Sequence, residues 1–216
     1  MNIRAPLGVS LALIAALCGL SLWAWGQVPA GQSIAIHFDL DGTPNGYAGK
    51  AQGLFALPVI AAVITVFMAL VPGMEPRREH LAQNAGLYYT AWFGPLLLLA
   101  VGHLAIVGLA LGYEFHALRT VPLVLGVLWV VLGAQLGRSQ STFFIGIRTP
   151  WTLSSDEVWR RTHRLGGRLF LATGAATLLC GFAPDSRVPL SVLIAGTVIT
   201  GVTSVVASYV YWRRRA

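Results

Sequence analysis

Charge is what this sequence has least of. Only 11% of its 216 residues are charged, there are eight acids in all, and lysine occurs once, at Lys50. A soluble domain is about 25% charged, so a water-facing surface of ordinary composition is excluded. Cysteine is nearly absent too. Cys18 and Cys180 both sit inside apolar runs, which excludes a disulfide framework and a cysteine metal centre. No acid lies deep in an apolar run, which argues against a proton-coupled pump. Nothing in the chain assembles a catalytic constellation or calls for a cofactor, so a non-enzymatic protein is expected.

What is abundant is apolar sequence, at 56% of residues. Runs at roughly 7–25, 53–71, 86–111, 120–137, 167–183 and 189–212 each approach the ~20 residues that carry a helix across ~30 Å of hydrocarbon. The expected fold is therefore an all-α integral membrane protein with six transmembrane helices. The third run contains Pro95, where a kink or tilt is expected. The first run is longer than the ~7–15 residues of a signal-peptide core, so it reads as an uncleaved anchor.

Orientation follows from arginine. With both termini in the cytoplasm, Arg4, Arg77, Arg78, Arg138, Arg148, Arg160, Arg161, Arg164, Arg168 and Arg213 to Arg215 lie inside, against Lys50, Arg119 and Arg187 outside. Twelve to three is a strong positive-inside bias, and an even span count fits it. The net charge of +7 then serves topology and contact with a lipid bilayer bearing anionic headgroups, with no direct nucleic-acid role. The location expected is the inner (plasma) membrane, with multiple passes.

Two polar segments are large enough to carry function. The outer loop, 26–52, contains Ile34, Ile36 and Phe38 at alternating positions, a short extended segment, followed by turn residues Gly42, Pro44, Asn45 and Gly46. His37, Asp39 and Asp41 form a weak metal candidate on one strand face, although a fourth ligand is missing. The alternative is a turn whose aspartates bond their own backbone. Asp39-Leu40-Asp41-Gly42-Thr43 also echoes a phosphatase nucleophile motif, but the acids and second lysine that chemistry needs are absent. With Tyr47 and Lys50, the loop is a candidate surface for recognising a ligand or peptide outside the cell.

The inner amphipathic segment, 139–166, is the longest polar stretch. Ser154 with Glu157 matches a capping box, so a helix should begin at Ser154 or Ser155. Trp159, His163, Gly166 or Gly167, and Phe170 then share one face, while Arg160, Arg164 and Arg168 form a stripe at spacing four. Asp156 can pair with Arg160 and Glu157 with Arg161, which leaves Arg164 and Arg168 without obvious partners. This is either a headgroup-contacting juxtamembrane helix or a docking surface made of Arg148, Thr149, Pro150, Trp151, Trp159, His163, Arg164 and Arg168. Within the runs, Gln135, Thr173, Thr177, Thr197, Thr200 and Thr203 are expected to bond across helices. Gly126, Gly133, Gly196 and Gly201 are expected to allow close packing. His103, also inside a run, keeps open a small ion or solute transporter or channel as the alternative function.

The motifs also carry a likeness. Ile145-Gly146-Ile147-Arg148-Thr149-Pro150-Trp151-Thr152-Leu153-Ser154, then Val158-Trp159 and Thr162-His163-Arg164-Leu165-Gly166-Gly167, resembles the signature of the SdpI family of bacterial membrane proteins. Ile36-His37-Phe38, Gly42, Pro44, Gly46-Tyr47 and Lys50 are similar to that family's N-terminal module of unassigned function. The resemblance implies a two-span module at 1–71 and a four-span module at 72–216 carrying the signature at 139–170. It further implies an immunity-type protein that gives resistance to a membrane-active, secreted peptide toxin, coupled to signal transduction by holding a cytosolic repressor at the membrane.

Overall fold

The structure, a computed structural model, describes residues 1–214; Arg215, the last of the inside arginines, and Ala216 lie outside the described residues. In chain order the elements are α1 (Arg4–Gln27), β1 (Ile34–Phe38), β2 (Pro44–Ala48), α2 (Lys50–Met74), α3 (Arg78–Gln83), α4 (Ala85–Ala110), α5 (Ala117–Leu136), α6 (Pro150–Leu153), α7 (Asp156–Cys180) and α8 (Arg187–Arg213). Helix α4 continues through Pro95.

Among the described residues five helices, α1, α2, α4, α5 and α8, are long and apolar enough to cross a membrane. The expected run at 167–183 falls in the second half of α7. That helix is 25 residues long but opens with Asp156, Glu157, Arg160, Arg161 and Arg164, so its composition as a whole is not that of a span. Helix α7 starts at one of the two expected serines, but without the expected capping box. Its N-cap is Ser155, whose hydroxyl accepts from the Val158 N–H at 3.3 Å, and Glu157 pairs with Arg160 instead of reaching back to Ser154. The capping box belongs to α6. There the Thr149 hydroxyl accepts the Thr152 N–H at 3.1 Å, and the Thr152 hydroxyl accepts the Thr149 N–H at 2.9 Å.

Residues cluster into two compact units whose limits fall within helices. One comprises 2–69 with 92–121; the other comprises 70–91 with 122 onward.

In the first unit, Ala24, Val28, Ile34, Leu54, Ile106 and Val107 form a buried cluster. Ile34, at the foot of the hairpin, sits against Gly53, where a Cβ would come within 2.8 Å of its own Cβ. His103 is fully buried. Its Nε2 lies 3.1 Å from the Ser21 hydroxyl and 3.2 Å from the Leu17 carbonyl, and Ser21 donates to the Leu54 carbonyl at 2.6 Å. The histidine thus ties α4 to α1, and Ser21 ties α1 to α2. This is the interhelical bonding that polar groups in hydrocarbon require.

In the second unit α7 packs along α8. Thr173 lies 3.3 Å from Thr200 across that contact, and Gly196 leaves room for the Thr173 side chain. Trp129 donates to the Thr197 hydroxyl at 2.9 Å and meets Phe170 edge-on at 5.5 Å. Helix α5 runs against α7 through glycine. A Cβ on Gly133 would fall 2.6 Å from the Gly167 carbonyl oxygen, and one on Gly174 would fall 2.5 Å from that of Gly126. Gly201 has nothing within 4 Å of such a Cβ, and Thr177 bonds the Thr173 carbonyl of its own helix, so neither holds two helices together.

Candidate functional site

Residues 34–48 fold into an antiparallel hairpin with Ile34 opposite Ala48 and Phe38 opposite Pro44; the pairing is irregular on both sides of His37. The turn is built by Asp39. Its Oδ1 accepts the N–H groups of Asp41 and Thr43, both at 2.9 Å, and Gly42 supplies the positive φ of 81°. A carboxylate bonding its own backbone in this way is ordinary turn chemistry. His37 Nδ1 lies 2.5 Å from the Asn45 Oδ1 across the hairpin. His37, Asp39 and Asp41 therefore do not converge as ligands, and no group of three or more histidines, cysteines or acids among the described residues could hold a metal ion.

Lys50 faces inward to the first unit. It donates to the Val28 carbonyl at 2.6 Å, with its ammonium 4.6 Å from the centre of the Trp25 ring. It anchors the base of the hairpin to the end of α1. The exposed part of the loop mixes apolar and polar side chains: Leu40 and Tyr47 are 67% and 61% accessible, and His37, Asp41, Thr43 and Asn45 are exposed beside them.

The second site lies where the 75–84 loop meets the 137–155 loop, and its centre is a residue with no signal in the sequence. Glu75 is 1% accessible. Its carboxylate accepts the N–H of Phe143 at 3.0 Å on both oxygens, that of Phe144 at 3.1 Å and that of Arg77 at 3.0 Å. Around this node Asn84 exchanges two hydrogen bonds with the Gln140 backbone, at 2.7 and 2.8 Å, and His80 Nδ1 lies 2.8 Å from the Ser141 carbonyl. Ser141 in turn accepts from Arg77 and donates to Asp156 at 2.6 Å. Pro76, Arg78, Glu79 and His80 border an open cleft of ≈ 510 Å³ beside Arg77 and Asp156. So Asp156 turns toward Ser141 and Arg77, Glu157 pairs with Arg160, and Arg161 lies over the Tyr211 ring at 4.4 Å.

The signature motif is packed onto the face of α7 that its spacing marks out. The Trp159 and His163 rings stack at 3.8 Å between centroids. His163 Nδ1–H donates to the Trp159 carbonyl at 2.9 Å, so Nε2 is free to accept the Ile147 N–H at 2.8 Å. Burial holds the His163 imidazole well below its ordinary range, down to about 4, against a smaller opposing effect of the Trp159 carbonyl. Gly146 takes φ 123°, and a Cβ there would strike His163 Nε2 and the Trp159 ring, each at 2.6 Å. Gly166 lies under Ile147, where a Cβ would come within 2.5 Å of its Cδ1. Trp159 Nε1 donates to the Ser139 carbonyl at 3.0 Å, Thr149 donates to the Ser208 hydroxyl at 3.0 Å, and Trp151 packs on Tyr209 at 5.1 Å.

These contacts divide the predicted docking residues. Thr149, Trp159 and His163 are buried and can affect a partner only through what they position; Trp151 is half-buried on α8. Arg148, Pro150, Arg164 and Arg168 are exposed, and Arg148 donates to the Phe143 carbonyl at 3.1 Å. The segment is thus a folded cover stitched to α7, α8 and the 75–84 loop, which a headgroup-contacting helix alone would not be.

A chain with at least five helices long and apolar enough to cross a membrane, joined by a hairpin and by loops that bond one another, is a multi-pass α-helical membrane protein. Within it, residues 138–211 match the SdpI/YfhL protein family, which covers the packed signature, α7 and most of α8. Residues 12–62 match a domain of unknown function (DUF1648), covering the hairpin and the adjoining parts of its flanking helices. The chain is also 24% identical over 173 residues to the Immunity protein SdpI of Bacillus subtilis (strain 168), spanning 79% of this chain and 80% of that protein. No solved structure matches the chain. The resemblance read from the two motifs is confirmed by these matches, and they support residence in the inner membrane as a multi-pass protein.

Proposed function

We propose that this protein is an immunity-type membrane protein that gives its cell resistance to a membrane-active peptide toxin. The observation that carries the reading is the likeness to an immunity protein over 79% of the chain, together with the SdpI/YfhL family match at 138–211 that takes in the signature. Six spans, with the second half of α7 as the fifth, put both termini in the cytoplasm and the hairpin outside. The modules are 1–71 and 72–216. In this reading the exposed side chains of the hairpin, His37, Asp41 and Tyr47, engage the toxin, with Asp39 and Lys50 holding its shape. The loop cover on the inner side presents Arg148, Arg164 and Arg168 to an acidic patch of a cytosolic repressor.

Separation of the two surfaces is the test. In a toxin-sensitive host, Tyr47→Ala at normal expression should lower protection, while Arg164→Ala should leave protection intact and weaken repressor recruitment to membranes. Equal loss of both activities in either variant would reject two separate surfaces. For topology, a cysteine placed at Asp41 should react with an impermeant reagent on intact cells, whereas one placed at Arg148 should react only after permeabilisation. The reverse pattern would invert the proposal.

A further inference from the structure

Two cavities of the second unit adjoin at Leu87. One, of ≈ 200 Å³, is almost wholly apolar and is lined by Ala91, Leu132, Leu136, Ile145 and Phe170 as well as Leu87. The other, of ≈ 180 Å³, is polar and is lined by Gln83, Gln135, Arg138 and Ser139 among others. Neither lining contains an acid. Gln135 spends its amide N–H on Thr90 at 2.9 Å, but its Oε1 is shut off from solvent without a hydrogen-bond partner. A buried acceptor left in that state is costly unless something donates to it. Arg138 is exposed at the rim, and Gly137 beside it adjoins α7 at Arg164, where a Cβ would lie 3.6 Å from the Arg164 Cα. That brings the backbone of a second cationic residue to the same end of the groove.

We propose that this groove holds one anionic phospholipid, with its phosphate at Arg138, a headgroup hydroxyl donating to Gln135 Oε1, and an acyl chain against Leu132, Leu136 and Ile145. The pairing of a cationic mouth with an apolar tail slot suits a lipid and not a free anion, since a phosphate alone would leave the apolar cavity unfilled. The absence of acids favours an anionic headgroup over one carrying its own ammonium. The orphaned acceptor favours a headgroup with a hydroxyl, as in phosphatidylglycerol. The inference stands apart from toxin resistance and needs only that the protein resides in a bilayer.

The test uses the purified full chain in detergent, titrated under native mass spectrometry with phosphatidylglycerol, with phosphatidylcholine of the same chains, and with glycerol phosphate as the headgroup alone. One phosphatidylglycerol should be retained in preference to phosphatidylcholine. Arg138→Gln should weaken it about fivefold, the scale of one cation at a lipid surface, and Ala91→Phe, which fills the tail slot, should abolish it. Equal retention of the two lipids, wild-type binding by Arg138→Gln, or full displacement by glycerol phosphate would each overturn the proposal. Because Arg138 is exposed, its variant keeps the test decisive even if Ala91→Phe fails to fold.

Discussion

Replacing Glu75 by Gln should loosen the cover over α7 without unfolding the spans. The carboxylate accepts three backbone N–H groups at 3.0–3.1 Å in a site only 1% accessible. Hydrogen bonds to a charged acceptor contribute about 1.5–3 kcal/mol each, and a buried donor left unsatisfied costs about 1–3 kcal/mol. Glutamine keeps one carbonyl oxygen but turns an NH₂ toward donors, so one or two N–H groups lose their acceptor. Because neighbouring losses do not add, the net effect should be about 3 kcal/mol. Read as local opening, that is a rise of about a hundredfold in amide exchange at Phe143 and Phe144. Hydrogen exchange of the protein in nanodiscs measures it directly, with α8 amides as the internal reference. Unchanged exchange at 143–144 in the Glu75→Gln protein would refute the claim that this carboxylate holds the loop; equal acceleration in α8 would show that the damage is global.

Other consequences follow from the same contacts. Gly133→Val should cost several-fold in folded, monodisperse yield on size-exclusion chromatography, because its Cβ would meet the α7 backbone at 2.6 Å, whereas Gly201→Val should be near neutral. His163 gives a pH dependence of definite sign. Its folded form resists protonation until about pH 4, while the unfolded chain takes up the proton near 6.5, so stability is complete above 6.5 and is lost as pH falls from there toward 4. The full loss is about 3 kcal/mol, and a thermal-denaturation series from pH 7.5 to 4 should show it in the wild type and not in a His163→Asn variant. Lys50→Met should fray the hairpin base by about 1 kcal/mol, through the lost bond to Val28 and the lost cation–ring contact. Protease nicking at the Asp39–Thr43 turn reports it.

Where sequence reading succeeded, the determinant was local or periodic. Five apolar runs became helices long and apolar enough to cross a membrane, Ile34, Ile36 and Phe38 fell in a strand, and Asp39 made its own turn. Gly126 and Gly133 met the backbone of a neighbouring helix. The shared face of Trp159, His163 and Gly166 was legible from spacing alone, but which way it pointed was not. The loop that covers it, through Gly146 and Ile147, comes from outside the helix, so a periodic stripe of aromatic and small residues reads equally well as a docking face. Glu75 was illegible for a stronger reason. It follows Pro72 and Gly73, a context that reads as a turn, and its partners lie 68 and 69 residues away as backbone amides, which carry no side-chain signature. Ser154 and Ser155 are adjacent potential caps, and the choice between them was made by Asp156 turning to Ser141 and Glu157 turning to Arg160.

Survival is the most direct measure of immunity. A toxin-sensitive bacterial host carrying the full chain, and a matched host carrying an empty vector, would be challenged with graded doses from a panel of membrane-active secreted peptides. The account predicts that the chain raises the killing dose of at least one peptide while Tyr47→Ala, expressed equally, does not. Identical killing curves across the panel with and without the chain would contradict it.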